Sequence, residues 1–250
     1  MMMTELNETI ERFVGHFRDQ RLKIAALGTE RDHIFFKKTL YVAALDALAR
    51  SAYPQIKGNK ERFVKFIGQF GSWNDANRVS LPHLAALMSK APDPAYSRVR
   101  EYTLAELTKW GEGQEVPLSR DPPYDTIHKM WPSEKGAPSP LVKVSLKSLQ
   151  HIYLLYTFRS SAVHELRGLG YGVEIDNDKE PYYLSCTTSF EPEDTASNSG
   201  VKAWELTYPL RFFEMLFDRS LIQLEEHLKK DRLNPYTSFR FGTYWIPELN

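Results

Sequence analysis

The chain has 250 residues and a mass of 29.0 kDa, with 32 basic and 32 acidic side chains and a formal net charge of zero. This balance excludes a histone-like polycation, although a local basic face would still serve nucleic acid. The single cysteine, Cys186, excludes a disulfide framework and a cysteine-based zinc site. No apolar run approaches the ~18 residues of a membrane span, and the polar, acidic start MMMTELNETIERF lacks the pattern of a secretory signal, so a cytoplasmic protein is expected.

Residues 4–27 read as a first helix, capped by Thr4, with Leu6, Ile10, Phe13, Phe17, Ile24 and Leu27 near helical spacing. Residues 32–52 read as a second helix with a broad apolar face (Ile34, Phe35, Leu40, Val42, Ala43, Leu45 and Leu48), ended at Tyr53–Pro54. A third over 59–70 points Phe63, Phe66, Ile67 and Phe70 inward. A fourth over 80–90 is capped by Ser80 with Pro82 in its first turn, and a fifth covers 93–110. Six prolines fall between 111 and 140, which predicts a long irregular connection. A well-buried helix follows over 143–167, stopped at Gly168.

Beyond it, YGVEI and YYLSCTTSF read as a hairpin, 209–230 as the last long helix, and TSFRFGTYWI as a strand. The expectation is a single, mostly α domain. Its helical core covers about 5–168 and 209–230, and a small β annex covers about 171–190 and 237–246.

No phosphate-binding G-x-x-x-x-G-K-[ST] loop, G-x-S-x-G nucleophile turn or H-E-x-x-H metal motif occurs. Gly168-x-Gly170-x-Gly172 lacks the strand before and helix after that a dinucleotide site requires, and reads as a helix stop. The seven histidines are scattered with no i, i+3 or i, i+4 pair, so a histidine-based metal site is not expected; no cofactor is expected either.

The segment Phe158-Arg159-Ser160-Ser161-Ala162-Val163-His164-Glu165 is the chemically suggestive one. It places an arginine and a histidine late in an apolar helix, where such residues are uncommon near a core. At 100° per residue their side chains project about 140° apart, so arginine's length or a distorted last turn must close the gap. A structural reading stands beside the functional one. His164 lies near a helix C-terminus, where a cation is favoured, and Arg159 could pair with a carboxylate such as Asp46.

The spacing resembles the R-x(4–6)-H motif of the HEPN superfamily, whose domains are antiparallel helical bundles with this motif late in the core. FFKKTLYVAALDALARSAYP likewise resembles the early HEPN helix that faces the motif, with Asp46 as its acidic residue. The likeness covers roughly residues 5–168. Ser160 departs from the Asn, Asp or His often found after the motif arginine. Leu166 stands where a subset has a tyrosine that a nucleotidyltransferase antitoxin modifies.

The resemblance implies a homodimeric, metal-independent endoribonuclease. In such chemistry the 2′-hydroxyl attacks phosphorus to give a 2′,3′-cyclic phosphate and a 5′-hydroxyl. Histidine can move the proton at neutral pH, and arginine can fork onto the phosphate and its transition-state charge. Arg159 and His164 are the expected catalytic pair, brought together with a second pair across a two-fold axis. Asp46, Ser160 and Glu165 are expected to support them, while Lys37 and Lys38 could contact the RNA backbone or, as an exposed pair, serve only solubility. RNA, a second copy and an antitoxin or other regulator are the expected partners, in a toxin, phage-defence or stress setting. The alternatives are a non-catalytic RNA-binding or partner-binding module and a nucleotide-binding sensor.

Overall fold

A computed structural model of the chain describes residues 3–28, 30–90, 93–111, 115–134, 137–138, 140–170, 179–188, 201–237 and 239. The protein is mostly helical with a small three-stranded antiparallel sheet. It divides into two compact units: residues 1–73, 162–166 and 213–250 form one, and residues 74–161 and 167–212 the other.

The first unit contains α1 (Met3–Ala25), α2 (Arg31–Ala52), α3 (Asn59–Phe70) and most of the C-terminal helix. Apolar residues at helical spacing drive its packing. Ile10, Phe13, Val14, Phe17 and Ile24 of α1 are buried, as are Tyr41, Val42, Leu45, Leu48 and Ala49 of α2. The face of α3 is the expected one: Phe63, Phe66, Ile67 and Phe70 all face inward. Leu27 and Leu40, both expected inside, are 39% and 43% exposed. Two ion pairs tie α1 to the C-terminal helix. Arg21 makes a forked pair with Asp218 at 3.2 Å, and Arg18 meets Glu225 at 2.7 Å.

The second unit begins with α4 (Leu81–Ser89), where Ser80 and Pro82 occupy the expected cap and first-turn positions. A 3-10 turn at Pro94–Tyr96, begun by an Asp93 cap, leads into α5 (Ser97–Leu107). The proline-rich connection is less irregular than its composition suggests. It carries β1 (Val116–Pro117), the short α6 (Tyr124–His128) and a two-stranded ladder of β2 (Ser133–Glu134) with β3 (Ala137–Pro138). Val79, Leu84, Leu87, Met88, Tyr96, Val99, Ile127, Trp131, Leu141, Leu146 and Leu149 make one buried cluster.

Helix α7 spans His151–His164, not 143–167. Val142 and Lys143 have φ of 50° and 64°, and Leu146–Leu149 forms a 3-10 turn. The missing helical turns have a physical cause: another segment takes their backbone groups. The Leu149 carbonyl accepts the Ser80 N–H at 3.0 Å, and the His151 and Ile152 N–H groups donate to Arg78 and Ala76 at 3.1 and 2.8 Å.

The sheet runs β1–β4–β5, with β4 (Tyr182–Thr188) paired antiparallel to β5 (Val201–Thr207). The hairpin partner of YYLSCTT is therefore VKAWELT, a segment with no strand signal of its own in the sequence. YGVEI lies outside the described residues, as does most of TSFRFGTYWI. The described residues leading into that second stretch, Pro235–Thr237, form a 3-10 turn. Helix α8 (Leu210–Lys230) completes the chain of elements. Among the described residues no helix is long and apolar enough to cross a membrane.

Candidate functional site

Helix α7 carries the arginine–histidine motif. Arg159 is only 6% exposed, and its Cζ lies 5.9 Å from the centre of the Tyr156 ring. His164, the last residue of the helix, and Glu165 after it are exposed, while Ser160 is half-buried. The contrast between an enclosed guanidinium and an open imidazole suits their large angular offset on one helix. Asp46 sits half-buried on α2. By compactness Arg159 belongs to the second unit, and Asp46 and His164 to the first.

The helix does not stop at Gly168. It ends three to four residues earlier, through Leu166, which has φ of 51° and is 68% exposed. Around that turn the Arg167 N–H donates to the Ser161 carbonyl at 3.4 Å, and Ser161 Oγ donates to the Arg167 carbonyl at 3.1 Å. A left-handed leucine is unfavourable by roughly 1–2 kcal/mol. Strain of this kind concentrates at working sites.

A second constellation lies wholly within the second unit and, His83 apart, is buried. Asp121 follows a 3-10 turn (Leu118–Arg120), and its carboxylate is the hub. Oδ1 accepts the Leu81 backbone N–H at 2.9 Å. Oδ2 lies 2.7 Å from His151 Nε2 and 2.7 Å from Tyr183 Oη. Tyr183 Oη is also 2.7 Å from Ser80 Oγ, which is 2.8 Å from His83 Nδ1. Ser80, His151 and Tyr183 are 0% exposed and Asp121 1%.

Each member is placed by an element already described. Ser80 and His83 come from the start of α4, His151 from the first residue of α7 and Tyr183 from β4. The Tyr183 ring packs 5.2 Å from Trp110, which meets Trp204 at 5.2 Å. Burial and the Asp121 charge push the Tyr183 phenol well above its usual value, so it stays a proton donor. Enclosure holds the His83 imidazole down to about 4, aided by His151 and opposed by Asp121. His83 as a whole residue is nonetheless exposed.

Sequence reasoning found Ser80 only as a helix cap and missed the other four. The contacts of this cluster join positions as far as 30 and 103 residues apart, beyond the reach of any local spacing. The one local signal was Ser80-Leu-Pro-His83, a cap followed by a histidine within one turn.

Buried Ser80 is closed to any substrate, so the cluster is not a nucleophile–base site; it can hold segments together and move protons. Among the described residues no group of three or more His, Cys, Asp or Glu is arranged to hold a metal ion. No protein-family model matches the chain, and comparison with curated proteins and with solved structures finds no match.

Proposed function

We propose that the protein is a metal-independent endoribonuclease of the HEPN type, working as a cytoplasmic homodimer in a toxin, phage-defence or stress setting. One observation carries this reading: FRSSAVHE closes an apolar helix of a mostly helical protein with an exposed imidazole, five positions after an enclosed guanidinium. His164 moves the proton of the 2′-hydroxyl or of the leaving 5′-oxygen. Arg159 binds the phosphate and the charge that grows on it. Two copies supply two such pairs to one groove, and RNA binding or dimerisation uncovers Arg159. With Leu166 in place of a modifiable tyrosine, any regulatory partner acts by binding.

The test is RNA cleavage in EDTA by the wild type, Arg159→Ala and His164→Ala, with folding and oligomeric state checked in each. Loss of about 10²-fold or more in both variants supports the enzyme. Cleavage unchanged in both, or dependent on added metal, defeats it. The burial of Arg159 favours one second reading, a non-catalytic RNA-binding or partner-binding module in which the arginine is structural. RNA binding without turnover is its signature.

A further inference from the structure

We propose that Asp121, Tyr183, Ser80 and His83 form a proton-operated clasp. It holds tightly while the Asp121 carboxylate is charged and more weakly once a proton has entered through His83. The inference does not rest on the ribonuclease reading.

The argument is a count of protons. Three close contacts run in line: Asp121 Oδ2 to Tyr183 Oη, Tyr183 Oη to Ser80 Oγ and Ser80 Oγ to His83 Nδ1, at 2.7, 2.7 and 2.8 Å. Each contact needs one hydrogen, and the two hydroxyls supply two. The third must sit at one end, on His83 Nδ1 or on the Asp121 carboxyl.

Tyr183 Oη is placed to donate to either the carboxylate or Ser80 but has one hydrogen; with Asp121 ionised that hydrogen goes to the carboxylate, and Ser80 then takes a hydrogen from His83 Nδ1–H and gives its own to Tyr183. His83 Nε2 is then a bare acceptor, with no hydrogen-bond partner among the described residues, on an exposed side chain. A proton taken up there, followed by a one-step shift of the three hydrogens, leaves a neutral imidazole protonated on Nε2. The same shift turns the carboxylate into a carboxylic acid. Both states satisfy every contact in the line, so the cluster has two arrangements of one framework.

They differ in what they hold. The charged carboxylate gathers donors from α4 (Leu81 N–H), α7 (His151) and β4 (Tyr183). The neutral acid no longer offers charge-assisted bonds to His151 and Tyr183. The other groups packed around it do not replace that charge. Arg78 donates to the Asp121 carbonyl at 2.6 Å but is paired with Asp75 at 2.8 Å, and Tyr208 donates to the His151 carbonyl at 3.3 Å. Burial is the chief cause of the lowered basicity of His83, so a proton enters there only at acid pH. Folded His83 binds its proton less readily than the unfolded residue near 6.5. Stability is therefore full above about pH 6.5 and declines as pH falls toward 4.

The experiment compares the full chain with His83→Gln, which keeps a polar partner for Ser80 but cannot titrate. Thermal unfolding is followed from pH 7.5 to 4.5. The wild type is expected to lose several degrees across the window and His83→Gln markedly less. Superimposable profiles overturn the proposal. Side-chain NMR of the wild type is the second readout. His151 and Tyr183 signals that move with the midpoint of His83 support the linkage, and signals that stay fixed through that midpoint overturn it.

Discussion

Asp121 and His151 meet at 2.7 Å with neither side chain open to water. The pair fixes the first residue of α7 against the turn that precedes α6, and so it explains why α7 begins there. Asp121→Ala leaves the His151 ring, the Tyr183 hydroxyl and the Leu81 N–H without their acceptor. A loss of about 3–5 kcal/mol is expected, the range for removing one member of a buried pair. Urea unfolding gives the number. In a double-mutant cycle with His151→Ala the two losses should fall short of additive; additive losses would show that the pair is not the stabilising unit.

Tyr183→Phe isolates the hydroxyl from the ring. The ring remains between His151 and Trp110, at 6.2 and 5.2 Å, so tryptophan fluorescence of the folded state should be nearly unchanged. The Asp121 and Ser80 oxygens each lose a partner in a dry site. The expected loss is about 1–3 kcal/mol at neutral pH, read as a lower urea midpoint at constant slope.

The helices were legible because their apolar residues recur at helical spacing: α3 keeps its expected bounds and face, and α2 and α8 begin within one residue of theirs. The first eight residues of the expected 143–167 helix failed for the opposite reason. Their periodicity is helical, but the strand-like segment 76–80 claims the Leu149 carbonyl and the His151 N–H, a choice no local pattern reveals. β5 was missed because VKAWELT follows a polar stretch and finds its partner only through pairing with β4. The motif was visible as spacing, while the burial of Arg159 and the openness of His164 depend on neighbours distant in sequence.

Stability should separate the two motif residues before any activity is measured. His164 is exposed at a helix end, so His164→Ala should change stability by no more than about 0.5 kcal/mol. Arg159 is enclosed beside Tyr156, and Arg159→Ala removes a long buried stem as well as a charge. A loss of about 1–3 kcal/mol is expected in thermal unfolding. Ribonuclease assays on Arg159→Ala therefore need a matched folded fraction, whereas those on His164→Ala report chemistry directly.

Two glycines give a control of opposite sign. Gly15 lies within α1, and a Cβ there meets nothing within 4 Å. Gly15→Ala should stabilise the protein by about 0.5–1 kcal/mol through helix propensity alone. Gly71 ends α3 with an ordinary φ of −78°, so its requirement is space and not backbone freedom. A Cβ at Gly71 would stand 2.6 Å from the Ile67 carbonyl oxygen and 2.9 Å from Leu216 Cδ1 of α8. The carbonyl belongs to the last turn of α3 and cannot retreat without breaking that turn. Gly71→Ala should cost about 1–3 kcal/mol, and equal stability in the two alanine variants would mean that α3 and α8 do not approach this closely.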